Sequence, residues 1–222
     1  MKKAYKKKPT GPRRRPALRR PRRAPMTIVN RALHPIPSRF ITKMKYSDTV
    51  AVTTLANTFA FNLNSVFDPN RTGVGHQPYG HDTLSTLYNR YRVISCGWRV
   101  NLALSTGGSP IQLACIPANE VLSITSINEM RENPRAKYIL QQPGAPSVYL
   151  TGKSYIPSLV GRTKYQYMAD DRYQAQVGSS PSELAILNLC ATDAFDAPIA
   201  VTMQVMLEYT VEWFDIKHLS QS

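Results

Sequence analysis

A long alternation of apolar and polar residues near the C-terminus constrains the fold of this chain more than any other feature. Every second residue from position 199 to position 213 is apolar, and most residues between them are polar. A period of two is typical of a β-strand with one buried face. At a rise of ~3.3 Å per residue such a strand spans roughly 50 Å, the full width of a β-sandwich. The alternation therefore predicts a long strand in an all-β domain.

The same period recurs earlier in the chain. Apolar residues alternate from Ile94 to Leu104, and we expect Arg92 at the exposed end of that face. Pro117 is expected to end the strand that begins at Ile111. The remaining strands are predicted at 40–53, 136–141, 148–155, 164–168 and 184–192. Because no helices alternate with these strands, the pattern predicts an antiparallel sandwich, and about eight strands fit a jelly roll.

Two short helices are predicted in the connections between strands. We expect Asp82 to cap the first of them. Ser126 and Glu129 have the spacing of a capping box and predict the start of the second. The segment 156–178 shows no assignable pattern.

The N-terminal segment differs sharply in composition from the rest of the chain. Sixteen of the 28 Lys and Arg residues lie in the first 45 positions, and the first acidic residue is Asp48. Residues 46–222 hold 12 basic and 14 acidic residues, a net charge of −2. Prolines recur every few positions up to Pro25, so a helix is excluded and the arm is expected to be disordered when free. We assign residues 1–39 to a basic arm and 40–222 to one folded domain.

The charge of the arm points to a polyanionic partner. Lysine and arginine neutralise nucleic-acid phosphates without reading the sequence. The predicted nucleic-acid-binding residues are Lys2, Lys3, Lys6, Lys7, Lys8, Arg13, Arg14, Arg15, Arg19, Arg20, Arg22, Arg23, Arg31 and Arg39. Two clusters also fit a nuclear-import signal, namely Lys6, Lys7, Lys8 and Arg13, Arg14, Arg15. A merely solubilising tail is the remaining alternative. Membrane insertion is not expected, because the arm lacks inserting apolar residues and no apolar run reaches ~18 residues.

No catalytic, metal or cofactor site is predicted. His76 and His81, with Asp82, are expected to be loop residues at the surface rather than metal ligands. Asp170 and Asp171 are adjacent and are expected in an exposed turn. Three cysteines fall inside predicted strands and are expected to be buried free thiols: Cys96, Cys115 and Cys190. An enzyme is therefore not expected.

A Gly- and Pro-rich loop, a short helix and a strand follow one another between positions 67 and 93. The residues that define this arrangement are Gly75, His76, Gln77, Pro78, Gly80, Asp82, Tyr88, Tyr91 and Val93. The arrangement resembles the capsid proteins of small circular single-stranded DNA viruses that encode a replication protein, the CRESS-DNA viruses. The basic arm and the closing strand around Tyr209 and Trp213 are similar to that family as well.

The resemblance implies a single jelly roll that assembles into an icosahedral shell, a virion of sixty copies. It also implies that the arms point inward onto a circular single-stranded DNA genome, and that the chain enters the host nucleus before assembly. The implied partners are further copies of the chain, the viral DNA, host import factors and an unknown host receptor. The choice of DNA rests on the resemblance alone. A cellular or RNA-virus nucleic-acid-binding protein with a basic tail stays open as the alternative.

Overall fold

The computed structural model describes residues 35–52, 59–73, 75–102, 109–123, 126–194 and 201–218. The chain divides into two units, Met1–Pro35 and Ile36–Ser222, and every element below belongs to the second. The predicted basic residues from Lys2 to Arg31 lie outside the described residues. Positions 53, 103–104 and 199–200 of three predicted strands also lie outside them.

The described part of the chain forms nine strands and four α-helices. The strands are β1 (Arg39–Val52), β2 (Phe59–Asn62), β3 (Tyr88–Leu102), β4 (Ile111–Ala118), β5 (Lys137–Gln141), β6 (Tyr149–Tyr155), β7 (Ala175–Gln176), β8 (Ile186–Asp193) and β9 (Val201–Ile216). The helices are α1 (His81–Leu87), α2 (Ile127–Glu132), α3 (Ile156–Leu159) and α4 (Lys164–Ala169), with a 3-10 turn at Asp171–Tyr173.

The strands form two antiparallel sheets. One has the order β1-β9-β3-β6, and the two-residue β7 pairs with the free end of β3. The other has the order β2-β8-β4-β5. Eight main strands in these two orders, with neighbours that are distant in sequence, form a jelly roll. The all-β prediction and its eight-stranded architecture are confirmed.

The core lies between the inner faces of the two sheets. β9 pairs with β1 from Arg39↔Phe214 to Val52↔Val201 and with β3 on its other side. Its inward side chains are buried, as the alternation predicted: Val201, Met203, Val205, Leu207, Tyr209, Val211 and Trp213. Each fully buried side chain of this size contributes ~1.5–3 kcal/mol to folding. The three cysteines are buried, as expected, and burial raises the pKa of the Cys96 and Cys115 thiols.

The predicted strand at 164–168 is wrong, because this segment forms α4. Thr163 accepts a hydrogen bond from the Gln166 backbone N–H, and the Gln166 side chain accepts one from the Thr163 backbone N–H. This reciprocal capping box satisfies two free donors of the first turn and stabilises a helix there. The segment 156–178, which had no assignable pattern, holds α3, α4, the 3-10 turn and β7.

Of three further local predictions, two are wrong and one is confirmed. Asp82 lies in the first turn of α1, and the capping position is Gly80, whose φ of 84° suits glycine. β4 continues through Pro117 to Ala118, because β5 pairs only with its first half and leaves that edge open. The start of α2 is confirmed, since Ser126 Oγ accepts a hydrogen bond from the Glu129 N–H.

Candidate nucleic-acid interface

Arg39 is the one predicted nucleic-acid-binding residue that lies within the described part of the chain. It opens β1, and its side chain is 69% exposed. Its guanidinium donates to Glu212 Oε1 at 3.2 Å. Arg39 is therefore an exposed cation whose charge is partly balanced by a carboxylate of the folded domain.

The loop that carries the first motif residues packs against the edge strand β1. The imidazole of His76 stacks on the ring of Tyr46, with ring centroids 4.7 Å apart. A Cβ on Gly75 would lie 2.8 Å from Tyr46 Oη and 2.9 Å from Asn70 Cβ, so only glycine fits this close approach. His76 is exposed, as expected for a loop histidine. The loop is therefore held in place by packing on a specific strand residue.

A half-buried carboxylate lies at the same corner. Asp48 Oδ2 accepts hydrogen bonds of 2.7 Å from Tyr46 Oη and from Asn70 Nδ2. Burial acts to raise the pKa of Asp48, but these hydrogen bonds outweigh it and hold the pKa below its usual value of 3.8. Burial and the neighbouring carboxylate raise the pKa of Tyr46. Asp48 is therefore ionised in the folded protein and ties the loop region to β1.

Three further motif residues, Tyr88, Tyr91 and Val93, are buried in the core. Tyr91 Oη donates to the Ser179 carbonyl at 2.8 Å, and Tyr88 Oη donates to the Pro37 carbonyl at 2.9 Å. Both rings pack against Trp213, and Val93 is fully buried. The prediction of a surface position for His81 is wrong. It is 2% exposed, because it begins α1 and its ring packs edge-on against Trp213 at 5.7 Å.

One half of the outer face of the β1-β9-β3-β6 sheet is covered by the segment 156–178. Tyr167 Oη donates to the Val93 carbonyl at 2.6 Å, which fixes α4 over β3. Arg92 is consequently 5% exposed, so its predicted place at an exposed strand end is wrong. Its guanidinium lies 3.8 Å from Glu212, which is also buried. Burial lowers the pKa of Arg92, and the charge of Glu212 opposes this.

The other half of this outer face is open and carries an excess of positive charge. Four basic side chains and one acidic side chain point outward from the strands β1, β3, β6 and β9. They are Lys43, Lys45, Arg99, Lys153 and Glu208. We call these five residues the basic face. Residues 40–222 hold 14 basic and 14 acidic residues, so the basic residues of the folded domain are unevenly distributed and this face continues the charge sign of the arm.

The only carboxylate of the basic face is strongly held by its neighbours. Lys43 Nζ donates to Glu208 Oε1 at 2.7 Å. This hydrogen bond lowers the pKa of Glu208, against a smaller effect of burial, and the charges of Lys43, Lys45 and Lys153 lower it further. Glu208 is therefore ionised and paired, and Lys45 and Lys153 lie close enough to act on it.

A trough of ≈ 800 Å³ crosses this face from one sheet edge to the other. Its lining includes residues of all four strands and of the motif loop: Lys45, Gly97, Arg99, Gly152, Met206, Gln77 and Tyr79. The motif loop thus borders the basic face, a relationship that the linear sequence does not reveal. Exposed aromatic rings flank the trough, with Tyr79 96% exposed and Tyr149 54% exposed.

Two further expectations concern acidic and metal-ligating side chains. Among them, no group of three or more His, Cys, Asp or Glu side chains could hold a metal ion. Asp170 caps the 3-10 turn, and its hydrogen bonds from Arg172 lower its pKa to about 2. The two adjacent aspartates therefore form a turn, as expected.

Within the described residues, every helix is too short or too polar to cross a lipid bilayer.

Comparison with protein-family models found no match, and neither did comparison with curated proteins. Solved viral structures do match. Cocksfoot mottle virus aligns over 81% of this chain and 96% of its own, with a TM-score of 0.51 and 11% identity. Macrobrachium rosenbergii nodavirus aligns over 96% of this chain and 64% of its own (TM-score 0.49, 14% identity), and Desmodium yellow mottle tymovirus over 100% of both chains (TM-score 0.46, 9% identity). This protein therefore shares the jelly-roll fold of viral capsid structures.

Proposed function

We propose that this chain is a structural capsid protein that assembles into a closed icosahedral shell and packages nucleic acid through its basic arm. The observation that carries the proposal is the pairing of a viral-type jelly roll with a segregated charge. Sixteen basic residues precede the first carboxylate, whereas residues 46–222 carry a net charge of −2. A neutralising arm and a shell-forming domain are two distinct roles, and this division of charge suits both.

The arm acts by counterion release rather than by reading bases. Sixty copies would bring about 700 to 1,000 positive charges together, enough to neutralise on the order of a thousand nucleotides. The arm residues from Lys2 to Arg31 and the exposed Arg39 supply these charges. Binding without sequence preference and with a steep salt dependence follows from this mechanism.

The finer details rest on the motif resemblance. We infer a shell of sixty copies and a circular single-stranded DNA cargo from the Gly75–Val93 motif residues, and a nuclear stage from the two basic clusters of the arm. The structural neighbours are capsid proteins of RNA viruses, so they support the shell and leave the choice of nucleic acid to experiment. The protein would act in the virion, with no catalytic role.

Negative-stain microscopy of the purified full-length protein tests the shell directly. We expect uniform closed particles, because a jelly roll of this kind closes only through symmetric contacts. The cargo is then identified by digesting the extracted nucleic acid with DNase or RNase and sequencing what the particles protected. A monodisperse monomer at every salt concentration would contradict the proposal.

The alternative is a cellular or RNA-virus nucleic-acid-binding protein with a basic tail. Such proteins usually carry basic residues across the folded domain, where they meet the nucleic acid. The basic face is the one observation that favours this alternative. It would bind short oligonucleotides as separate monomers and would form no particles, so the same microscopy separates the two functions.

A further inference from the structure

One row of residues crosses the sheet, and its first three members, Lys45, Glu208 and Gly97, also line the trough. Lys45 of β1 pairs with Glu208 of β9, Glu208 pairs with Gly97 of β3, and Gly97 pairs with Lys153 of β6. Neighbouring strands lie ~4.8 Å apart, so the backbone positions of Lys45 and Lys153 are separated by roughly 14 Å. Cations therefore stand at both ends of this row, with Lys45 in the lining of the trough and Lys153 next in sequence to the lining residue Gly152.

Three of these cations form no ion pair with a carboxylate among the described residues, although Lys45 and Lys153 act on Glu208 from beyond ion-pair distance. Glu208 is paired with Lys43, and no ion pair joins Lys45, Arg99 or Lys153 to an acidic side chain within the described ranges. Arg99 instead lies over the ring of Tyr149, 4.0 Å from its centroid, which holds the guanidinium plane beside the trough. Unpaired cations on a rigid sheet are a ready site for an anionic ligand.

The floor and rim of the trough suit flat, partly apolar groups. A Cβ on Gly97 would meet no atom closer than 3.9 Å, so the floor of the trough is not overpacked at this residue. Met206 is 39% exposed and Tyr79 is 96% exposed, and both line the trough. Aromatic side chains beside Lys and Arg are the usual means by which proteins bind single strands without sequence preference.

We propose that this trough binds a segment of single-stranded nucleic acid, with phosphates at Lys45, Arg99 and Lys153 and bases against Tyr79 and Met206. The inference rests on the proposed function and extends the packaging surface from the arm to the folded domain. The arm cannot be the occupant, because its positive charges would be repelled by the same cations. A neighbouring subunit is disfavoured, because lysine is depleted at protein interfaces.

The test compares two full-length variants that lose the same charge. The trough variant is Lys45→Gln, Arg99→Gln and Lys153→Gln, and the control variant is Arg71→Gln, Arg162→Gln and Lys164→Gln. All six side chains belong to exposed residues, so neither variant should disturb the fold. Binding of a fluorescein-labelled oligothymidylate is measured by anisotropy on the unassembled fraction from gel filtration, between about 50 and 200 mM salt.

The expected result is a shallower salt dependence for the trough variant alone. Each lost phosphate contact to a single strand removes ~0.7 from the slope of log K against log salt, so three contacts remove about 2. The control variant should keep the slope of the parent protein. Particle formation is scored for all three proteins by negative-stain microscopy.

Two results would overturn the trough site. Equal slopes for the trough and control variants would show that only net charge matters. A trough variant that binds the oligonucleotide like the parent but forms no particles would identify a neighbouring subunit as the occupant. Failure of the proposed function itself looks different, because the parent protein would then form no particles at all.

Discussion

The substitution Gly152→Ala probes the packing between the edge strand β6 and its neighbour β3, both of which line the trough. Gly152 of β6 pairs with Trp98 of β3, and the indole lies directly over it. A Cβ at this position would lie 2.9 Å from Trp98 Cη2 and still closer to Cζ2 and Cε2. Trp98 is 4% exposed, so the ring has little room to move away.

The cost follows from the displacement that the new methyl group requires. Carbon atoms pack at ~3.5–4.0 Å, so the ring must shift by more than about 0.5 Å even at its most distant contact atom. Overpacking of a core costs ~1–3 kcal/mol, and driving a side chain off its rotamer adds ~0.5–1.5 kcal/mol. We therefore expect Gly152→Ala to lower the free energy of unfolding by about 2–4 kcal/mol.

Gly97→Ala on the neighbouring strand is the matched control. Its Cβ would meet nothing closer than 3.9 Å, and neither glycine has a positive φ. Both substitutions restrict the unfolded chain equally, an effect of ~0.4–1 kcal/mol that cancels between them. Gly97→Ala should therefore be neutral or slightly stabilising.

Urea unfolding followed by tryptophan fluorescence measures the difference. Protein concentration must be matched, because assembly adds to the apparent stability. Equal midpoints for the two variants would refute the close packing of Trp98 on Gly152 and, with it, the shape of this edge of the trough.

Three further substitutions test the charges of the same sheet. Glu212→Ala leaves Arg92 buried without its carboxylate partner and should lower the free energy of unfolding by ~3–5 kcal/mol. Glu208→Ala breaks an exposed ion pair and should lower it by at most ~1 kcal/mol. Equal losses in urea unfolding would contradict the burial of the Arg92–Glu212 pair. Burial acts to raise the pKa of Asp48, but its hydrogen bonds hold the pKa below 3.8. The contribution of Asp48 to folding stability is therefore present above about pH 3.8 and is lost as pH falls through the folded pKa. Asp48→Asn should make the loss of stability at acid pH less steep. An unchanged loss of stability at acid pH would refute this.

Much of the fold could be predicted because the sequence pattern of its longest strands shows which face of each strand is buried. The alternation of β9 and the apolar face of β3 follow from one side of each strand being buried. The start of α2 was also predictable, because Ser126 and Glu129 are three residues apart in a capping box. These sequence patterns lie within one segment each, and the tertiary contacts of that segment favour the same secondary structure.

The wrong predictions concern residues whose structure depends on neighbouring residues or on a segment distant in sequence. The segment 164–168 has strand-forming residues, yet Thr163 and Gln166 cap it as a helix. Arg92 lies on the outer face of β3, and only the packing of α4 over that face buries it. A sequence shows neither which segment covers a strand nor how completely.

The basic face was not predictable for a related reason. Its cations come from positions 43, 45, 99 and 153, which the register of three different strands brings onto one face. The zero net charge of residues 40–222 conceals this clustering. The motif residues were recognisable, but their place beside the trough depends on the packing of His76 on Tyr46.

The amount of nuclease-protected nucleic acid per particle tests the central claim most directly. The measurement compares the full-length protein with a variant that lacks residues 1–25. We expect both to form particles of the same diameter, because the jelly roll builds the shell, and we expect the truncated particles to lose most of their protected nucleic acid. Equal nucleic-acid content in both particles, or no particles from the full-length protein, would contradict the account.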